Sequence, residues 1–312
     1  MTPERPAAAA SLAIRPGSRQ AWAAAVRPRT LLVAISPVLV GAALGFGRTG
    51  HIDARAALLV ASAALLMQVV TNLQNDVGYT LRGGERSGTR TGLPRATANG
   101  WLAVRTVRLG IVLVCVLAMA LGVALTLLRG WPVLAIGIAS LLAALAYMGG
   151  PRPIAYTPFG ELTVFLFFGV IAVAGTDWVL TGSVGASSVL ASCAIGCLAA
   201  AALAVNNHRD LAHDALVGRR TFAVLFGATG SLRLYAALLA CPFALLPAIA
   251  LRDHAPALLA PLLLAPVALR LWRDFRHCPP GTAFNLILFR TFRLELWFAL
   301  LLASAAVLNR LA

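Results

Sequence analysis

The sequence predicts an all-α membrane protein, a bundle of nine transmembrane helices, and three observations carry that expectation. Hydrophobic residues fill 60% of the 312 positions, charged residues fill 12%, and the mean hydropathy is +0.83, a balance that no water-soluble core accommodates. Nine apolar runs recur along the chain. Arginines concentrate on alternate connections between those runs, as they do when successive spans cross a bilayer back and forth.

Residues 1–20 read as a cytoplasmic tail: Arg5, Arg15 and Arg19 stand among alanines and prolines, without the uninterrupted apolar core and cleavage site of a signal peptide. Residues 21–312 then form one transmembrane domain. The apolar runs lie near 30–46, 56–74, 107–128, 131–148, 161–180, 185–205, 232–251, 255–272 and 288–308. Several fall short of the ~20 residues of a straight span, so their helices are expected to run on into polar flanks. With the N-terminus inside, the tail and loops 75–106, 149–160, 206–231 and 273–287, with the helix ends that abut them, hold 21 arginines. The other side holds only Arg48, Arg55, Arg129, Arg252 and Arg310. That asymmetry orients the chain N-terminus inside, with its polar loops facing the cytoplasm. All 26 basic residues are arginine, and the net charge of +15 is a topology signal here, so no nucleic-acid partner is expected. The cysteines Cys115, Cys193, Cys197, Cys241 and Cys278 sit mostly in apolar runs, form no CxxC pair and read as packing residues.

Polar chemistry breaks out of this background at two inner helix ends. The denser is Asn206-Asn207-His208-Arg209-Asp210-Leu211-Ala212-His213-Asp214, followed by Gly218-Arg219-Arg220-Thr221. If the sixth helix continues to Asp214, Asp210 and Asp214 share a face about 6 Å apart along the axis. Two carboxylates so placed repel each other unless a cation joins them, and Mg²⁺ is held by one or two carboxylates plus phosphate oxygens. The second cluster, Asn72-Leu73-Gln74-Asn75-Asp76, ends the second helix and leads into a glycine-rich loop carrying Arg82, Glu85, Arg86, Arg90 and Arg95. Its pattern of amide and carboxylate followed by arginines matches the first. Together the two ends suit a metal-bridged diphosphate, and the apolar bundle below them suits its hydrocarbon tail, which points to a polyprenyl diphosphate.

Arg152, held between Pro151 and Pro153, and Glu161, at the start of the fifth span, are further candidates: Arg152, Arg209 and Arg82 for phosphate, Glu161 for orienting an acceptor or an arginine. Taken singly, Arg219, Arg220, Arg270, Arg273 and Arg276 read as interfacial anchors. His208 and His213 are as consistent with solvated loop histidines as with acid–base work. Asp177 falls on the outer side, apart from this chemistry.

These residues resemble the UbiA superfamily of intramembrane aromatic prenyltransferases, and within it the branch that prenylates 1,4-dihydroxy-2-naphthoate in menaquinone synthesis. The likeness covers nearly the whole chain: Trp22 with Arg27-Pro28-Arg29-Thr30-Leu31 and Pro37-Val38-Leu39-Val40-Gly41, both polar motifs, Gly160-Glu161-Leu162 with Phe167-Phe168-Gly169, and Asn285. The resemblance implies a nine-helix bundle of the UbiA type with a cytoplasmic-side cavity, Mg²⁺ and polyprenyl diphosphate bound by two motifs, and transfer to an aromatic acceptor with loss of its carboxylate. It carries Asp210 and Asp214 over as ligands of the second motif and Asp76, with Asn72 and Asn75, to the first. With the residues read above, the expected catalytic and metal-binding set is Asp76, Asp210 and Asp214, and the expected substrate contacts are Asn72, Asn75, Arg82, Arg152, Glu161, Asn206, Asn207 and Arg209. The first motif departs from the family pattern, since Tyr79 stands where an aspartate is usual, leaving Glu85 as the later acid and a possible metal ligand. A 4-hydroxybenzoate or homogentisate acceptor fits the same spacing, and Tyr79 keeps open a lipid-binding or transport protein on the same scaffold.

Overall fold

A computed structural model describes residues 14–84 and 91–312. Nine helices among them are long and apolar enough to cross a membrane. We number these spans α1 (Arg19–Thr49), α2 (Ala54–Leu81), α3 (Val104–Arg129), α4 (Trp131–Met148), α5 (Gly160–Thr181), α6 (Ala186–Arg209), α7 (Phe222–Arg252), α8 (Pro256–His277) and α9 (Phe284–Leu311). Helices dominate because in lipid every backbone N–H and C=O must find its partner inside its own segment. As expected from the short apolar runs, most helices extend into polar flanks, α7 by ten residues at its start. Residues 1–13 and 85–90, and with them Glu85, Arg86 and Arg90, lie outside the described residues.

The bundle is built around α6. Its face of Gly196 and Ala199–Ala202 carries almost no side-chain bulk, so α1, α5, α7 and α9 pack closely against it, and its window of span residues is 78% buried. Against Gly196 lies Gly169, in a π-helical turn over Phe165–Ile171. The extra residue of that turn re-aims the lower half of α5 relative to its first turn. By contrast α3 and α4 pack mainly on α2 and on each other. They present a row of exposed apolar side chains, Leu109, Val112, Leu113 and Val116 among them, as lipid-facing helices do.

Between the α6-centred block and the α2–α4 layer lies an apolar cavity of about 820 Å³, lined by all six helices from α1 to α6 and by Leu288 and Phe292 of α9. At its far end Leu125, Val133 and Val179 form a small buried cluster with Trp178 against them. Beyond it the far-end loops are tied down: Arg48 bonds to Asp177 at 2.9 Å and to Ser183, and Arg129 donates to the carbonyls of Val179 and Leu180. Asp177, expected to stand apart from the polar motifs, is thus an anchor at the opposite end of the molecule.

Candidate active site

At the other end of the cavity the sequence motifs converge. On α2 the side chains of Asn72, Asn75 and Tyr79 line the cavity, about one turn apart on one face. Asn72 is engaged by protein: its amide donates to the carbonyl of Val26 at 2.7 Å and to Thr30 at 2.8 Å, tying α2 to the break in α1, where Arg27 adopts a left-handed conformation with φ of 56°. Asn75 differs, for its Oδ1 is buried without a hydrogen-bond partner.

Asp76 points elsewhere. Its carboxylate is fully buried behind the cavity lining and accepts hydrogen bonds from Ala96 N–H at 2.9 Å, Thr97 N–H at 2.8 Å and Thr97 Oγ1 at 2.5 Å. It therefore clamps the turn Arg95–Trp101 onto α2 and sets Arg95 at the cavity. The sequence expectation that Asp76 holds metal meets a carboxylate that lies off the cavity lining and already accepts three hydrogen bonds, whereas its neighbour Asn75 presents a bare oxygen at the lining. Of the two aspartates read as parallel, Asp210 lines the cavity and Asp76 does not.

The end of α6 also departs from expectation. The helix does not run smoothly to Asp214: Asp210 ends α6 and begins the short helix Leu211–Leu216, with φ of −94° and ψ of 9°. Asp210 lines the cavity, while Asp214 lies behind it at zero exposure. Asp210 receives both Nε and Nη2 of Arg209, at 2.8 and 2.7 Å, and Arg209 Nη1 donates to Asn285 at 2.7 Å. Asn206 and Asn207 both line the cavity, and Asn207 donates to Glu161 at 2.9 Å. Neither histidine is a solvated loop residue: His208 packs on Phe275 and Phe284, and His213 stacks on Tyr79.

Gly218, in the left-handed region with φ of 74°, reverses the chain so that Arg219 returns over Asp214. This arginine is no interfacial anchor. It is buried, pairs with Asp214 at 2.6 Å, donates to Ala155 O at 3.0 Å, and stands 3.4 Å from the Tyr79 hydroxyl. Burial pushes the Asp214 carboxyl above the ordinary carboxylate range, and the Arg219 guanidinium pulls it part of the way back. The Tyr79 ring is within cation–π range of two guanidiniums, 4.9 Å from Arg95 and 5.6 Å from Arg219.

Two predicted phosphate contacts stay outside. Arg82 is exposed, donates to the carbonyl of Gly150 and sits 5.3 Å over Tyr156; Arg152 is exposed and off the lining. The guanidiniums that do reach the cavity belong to Arg27, Arg95, Arg209 and Arg219. Of these only Arg209 was singled out for phosphate, since an arginine's distance from a motif says little about where a loop carries it. Arg219 had one readable signal, a glycine helix stop that turns the chain back toward Asp214.

Among the described residues no cluster of three His, Cys, Asp or Glu side chains could cage a metal alone. The oxygen donors nevertheless suit Mg²⁺, which takes one or two carboxylates and completes its shell with substrate phosphate and water. Asn75 Oδ1 and Asp214 Oδ2 are buried acceptors without partners, and Asp210 lies at the cavity wall.

A bilayer-spanning bundle whose oily cavity ends in guanidiniums, amides and carboxylates defines an intramembrane enzyme that works on a lipid carrying a charged head. Comparison with known proteins gives the family. The model of the UbiA prenyltransferase family matches residues 34–299, and the chain belongs to that family, as an enzyme that transfers prenyl groups. It is 34% identical over 225 residues to 1,4-dihydroxy-2-naphthoate octaprenyltransferase of Escherichia coli (strain K12), covering 70% of this chain and 73% of that one. It is 31% identical to the protein of the same name from Mycobacterium tuberculosis (strain ATCC 25618 / H37Rv), over 93% and 98% of the two chains. A UbiA homolog from Archaeoglobus fulgidus, solved bound to DMAPP and Mg²⁺, shares the fold with a TM-score of 0.66 at 19% identity, covering 92% of this chain and 98% of that one.

Proposed function

We propose that this prenyltransferase moves a polyprenyl group from its diphosphate to 1,4-dihydroxy-2-naphthoate, with loss of the ring carboxylate, on the cytoplasmic side of a bacterial inner membrane. The observation that carries the reading is the pairing of an 820 Å³ apolar cavity with Asn75, Asp210 and four guanidiniums at one end. The naphthoate acceptor is supported by the names of the curated relatives.

The prenyl tail lies in the apolar cavity and the diphosphate among Arg27, Arg95, Arg209 and Arg219. Asn75, Asp210 and Asp214 would hold Mg²⁺, which supplies charge neutralisation to the departing diphosphate. Arg209 now neutralises Asp210, so diphosphate arriving at Arg209 competes for that guanidinium and frees carboxylate oxygen. Tyr79, whose ring is in cation–π range of both Arg95 and Arg219, helps hold those two guanidiniums at the phosphate position. Breaking the C–O bond sends its electron pair to the diphosphate, and the prenyl C1 bonds to the electron-rich ring carbon. The carboxylate at that carbon leaves as CO₂ and returns its electron pair to the ring. Apolar walls keep water from the allylic cation meanwhile.

The test is product formation in membranes whose only prenyltransferase is this protein. Prenylated naphthoquinone should appear with the naphthoate acceptor, exceed the yield with 4-hydroxybenzoate or homogentisate, and fall about 100-fold in Asp210→Ala. Product on a benzoate ring alone would overturn the acceptor, and undiminished product in Asp210→Ala would overturn the site.

A further inference from the structure

Three glycines line the cavity, Gly122 on α3, Gly137 on α4 and Gly175 on α5, and none is required by the backbone or by packing. None has a positive φ. A Cβ built on any of them meets no atom within 4 Å. The packing glycines of the same bundle behave oppositely: a Cβ at Gly41 would fall 2.4 Å from Val173 O, and one at Gly169 would fall 2.3 Å from Gly196 Cα. Glycine inside a helix lowers its stability relative to alanine. What the three residues provide is empty space inside the cavity. They also sit deep: Gly137 is roughly 16 Å along α4 from Met148, Gly175 roughly 22 Å along α5 from Gly160, and Gly122 roughly 27 Å along α3 from Val104, counting from the helix ends nearest the polar groups.

We infer that Gly122, Gly137 and Gly175 determine donor length, holding the lower cavity open for the distal isoprene units of a long polyprenyl diphosphate. The inference rests on the reading that this cavity houses the prenyl tail. A leucine at any of the three would protrude into the deep half and narrow it, and leave the polar end as it is. The donor's first two isoprene units, next to the diphosphate, would not feel it.

The experiment uses full-length protein in lipid nanodiscs and two donors, geranyl diphosphate and octaprenyl diphosphate. Binding and transfer are measured for wild type, for Gly137→Leu and Gly175→Leu, and for the milder Gly137→Ala and Gly175→Ala. In the leucine variants octaprenyl diphosphate should bind about tenfold more weakly or worse, with geranyl diphosphate unchanged and alanine giving a smaller loss in the same direction. Thermal unfolding midpoints identify any leucine variant that fails to fold, and the alanine pair then decides. Equal losses for both donors, or none for either, overturn the inference. If wild type binds both donors and the length effect appears but no aromatic acceptor is prenylated, the transfer reading fails and the length inference stands. If transfer proceeds but the variants treat the two donors alike, the inference fails alone.

Discussion

At the scale of single residues, neighbouring positions carry opposite jobs. Asp76 and Asn75 are adjacent, yet the helix turns one toward the loop Arg95–Trp101 and the other toward the cavity. Asp76→Ala strips the buried Ala96 and Thr97 donors of their acceptor, at about 1–3 kcal/mol for each buried group left unsatisfied. Its thermal midpoint should drop while the Mg²⁺ concentration for half-maximal activity at low temperature stays put. Asp210→Asn should raise the metal requirement, and it should also lower the midpoint because the buried Arg209 guanidinium loses its carboxylate. Paired thermal scans and metal titrations decide, and a metal requirement moved by Asp76→Ala would return that carboxylate to the cavity. The Arg219–Asp214 pair is a second case, since removing one partner of a buried pair strands a charge and costs about 3–5 kcal/mol. Arg219→Ala should therefore destabilise more than the double variant with Asp214→Ala, as denaturant or thermal unfolding of the set would show; additive losses would mean that the two do not act as a pair.

At the scale of elements, hydropathy located all nine spans because lipid imposes one requirement on each of them separately, an apolar helix with internal hydrogen bonds. What hydropathy did not locate depends on pairs of distant residues. The clamp of Asp76 joins positions twenty residues apart, the pair of Asn207 with Glu161 joins two spans, and no local spacing encodes either. Spacing did place Asn75, Asn206, Asn207, Arg209 and Asp210 at the cavity, since residues clustered at a helix end travel together. It failed for Arg82 and Arg152, which sit on connections whose path is set by tertiary contacts. The π-helical turn of α5, within which Gly169 crosses closely on Gly196, was equally invisible. That crossing makes a prediction for the element. Gly169→Val would drive methyl groups into the α6 backbone, an overpacking of about 3 kcal/mol or more. The variant should show a lower thermal midpoint and lose binding of short and long donors alike, unlike the cavity glycines. A Gly169→Val protein as stable as wild type would mean that α5 and α6 can separate without loss.

At the scale of the whole molecule, the two ends of the bundle differ in kind, and that difference carries a prediction of how the enzyme sits in the bilayer. One end gathers Arg27, Arg95, Arg209 and Arg219 with the acids and amides of the site. The other carries the Arg48–Asp177 bond and the Arg129 contacts that hold the far-end loops. Twenty-one arginines flank the first end by the loop assignment and five the second, so the free energy of insertion favours leaving the site end on the cytoplasmic side. A donor and an acceptor made in the cytoplasm would then reach the polar groups directly, with only the prenyl tail entering the bilayer. Labelling tests this. In a background without the native cysteines, a cysteine replacing exposed Ser183 at the far end should react with a membrane-impermeant maleimide on intact cells. A cysteine replacing exposed Asn99, on the turn that Asp76 clamps, should react only after permeabilisation. The opposite labelling pattern would put the diphosphate site outside the cell, where neither substrate is made, and would overturn the placement drawn from the arginines.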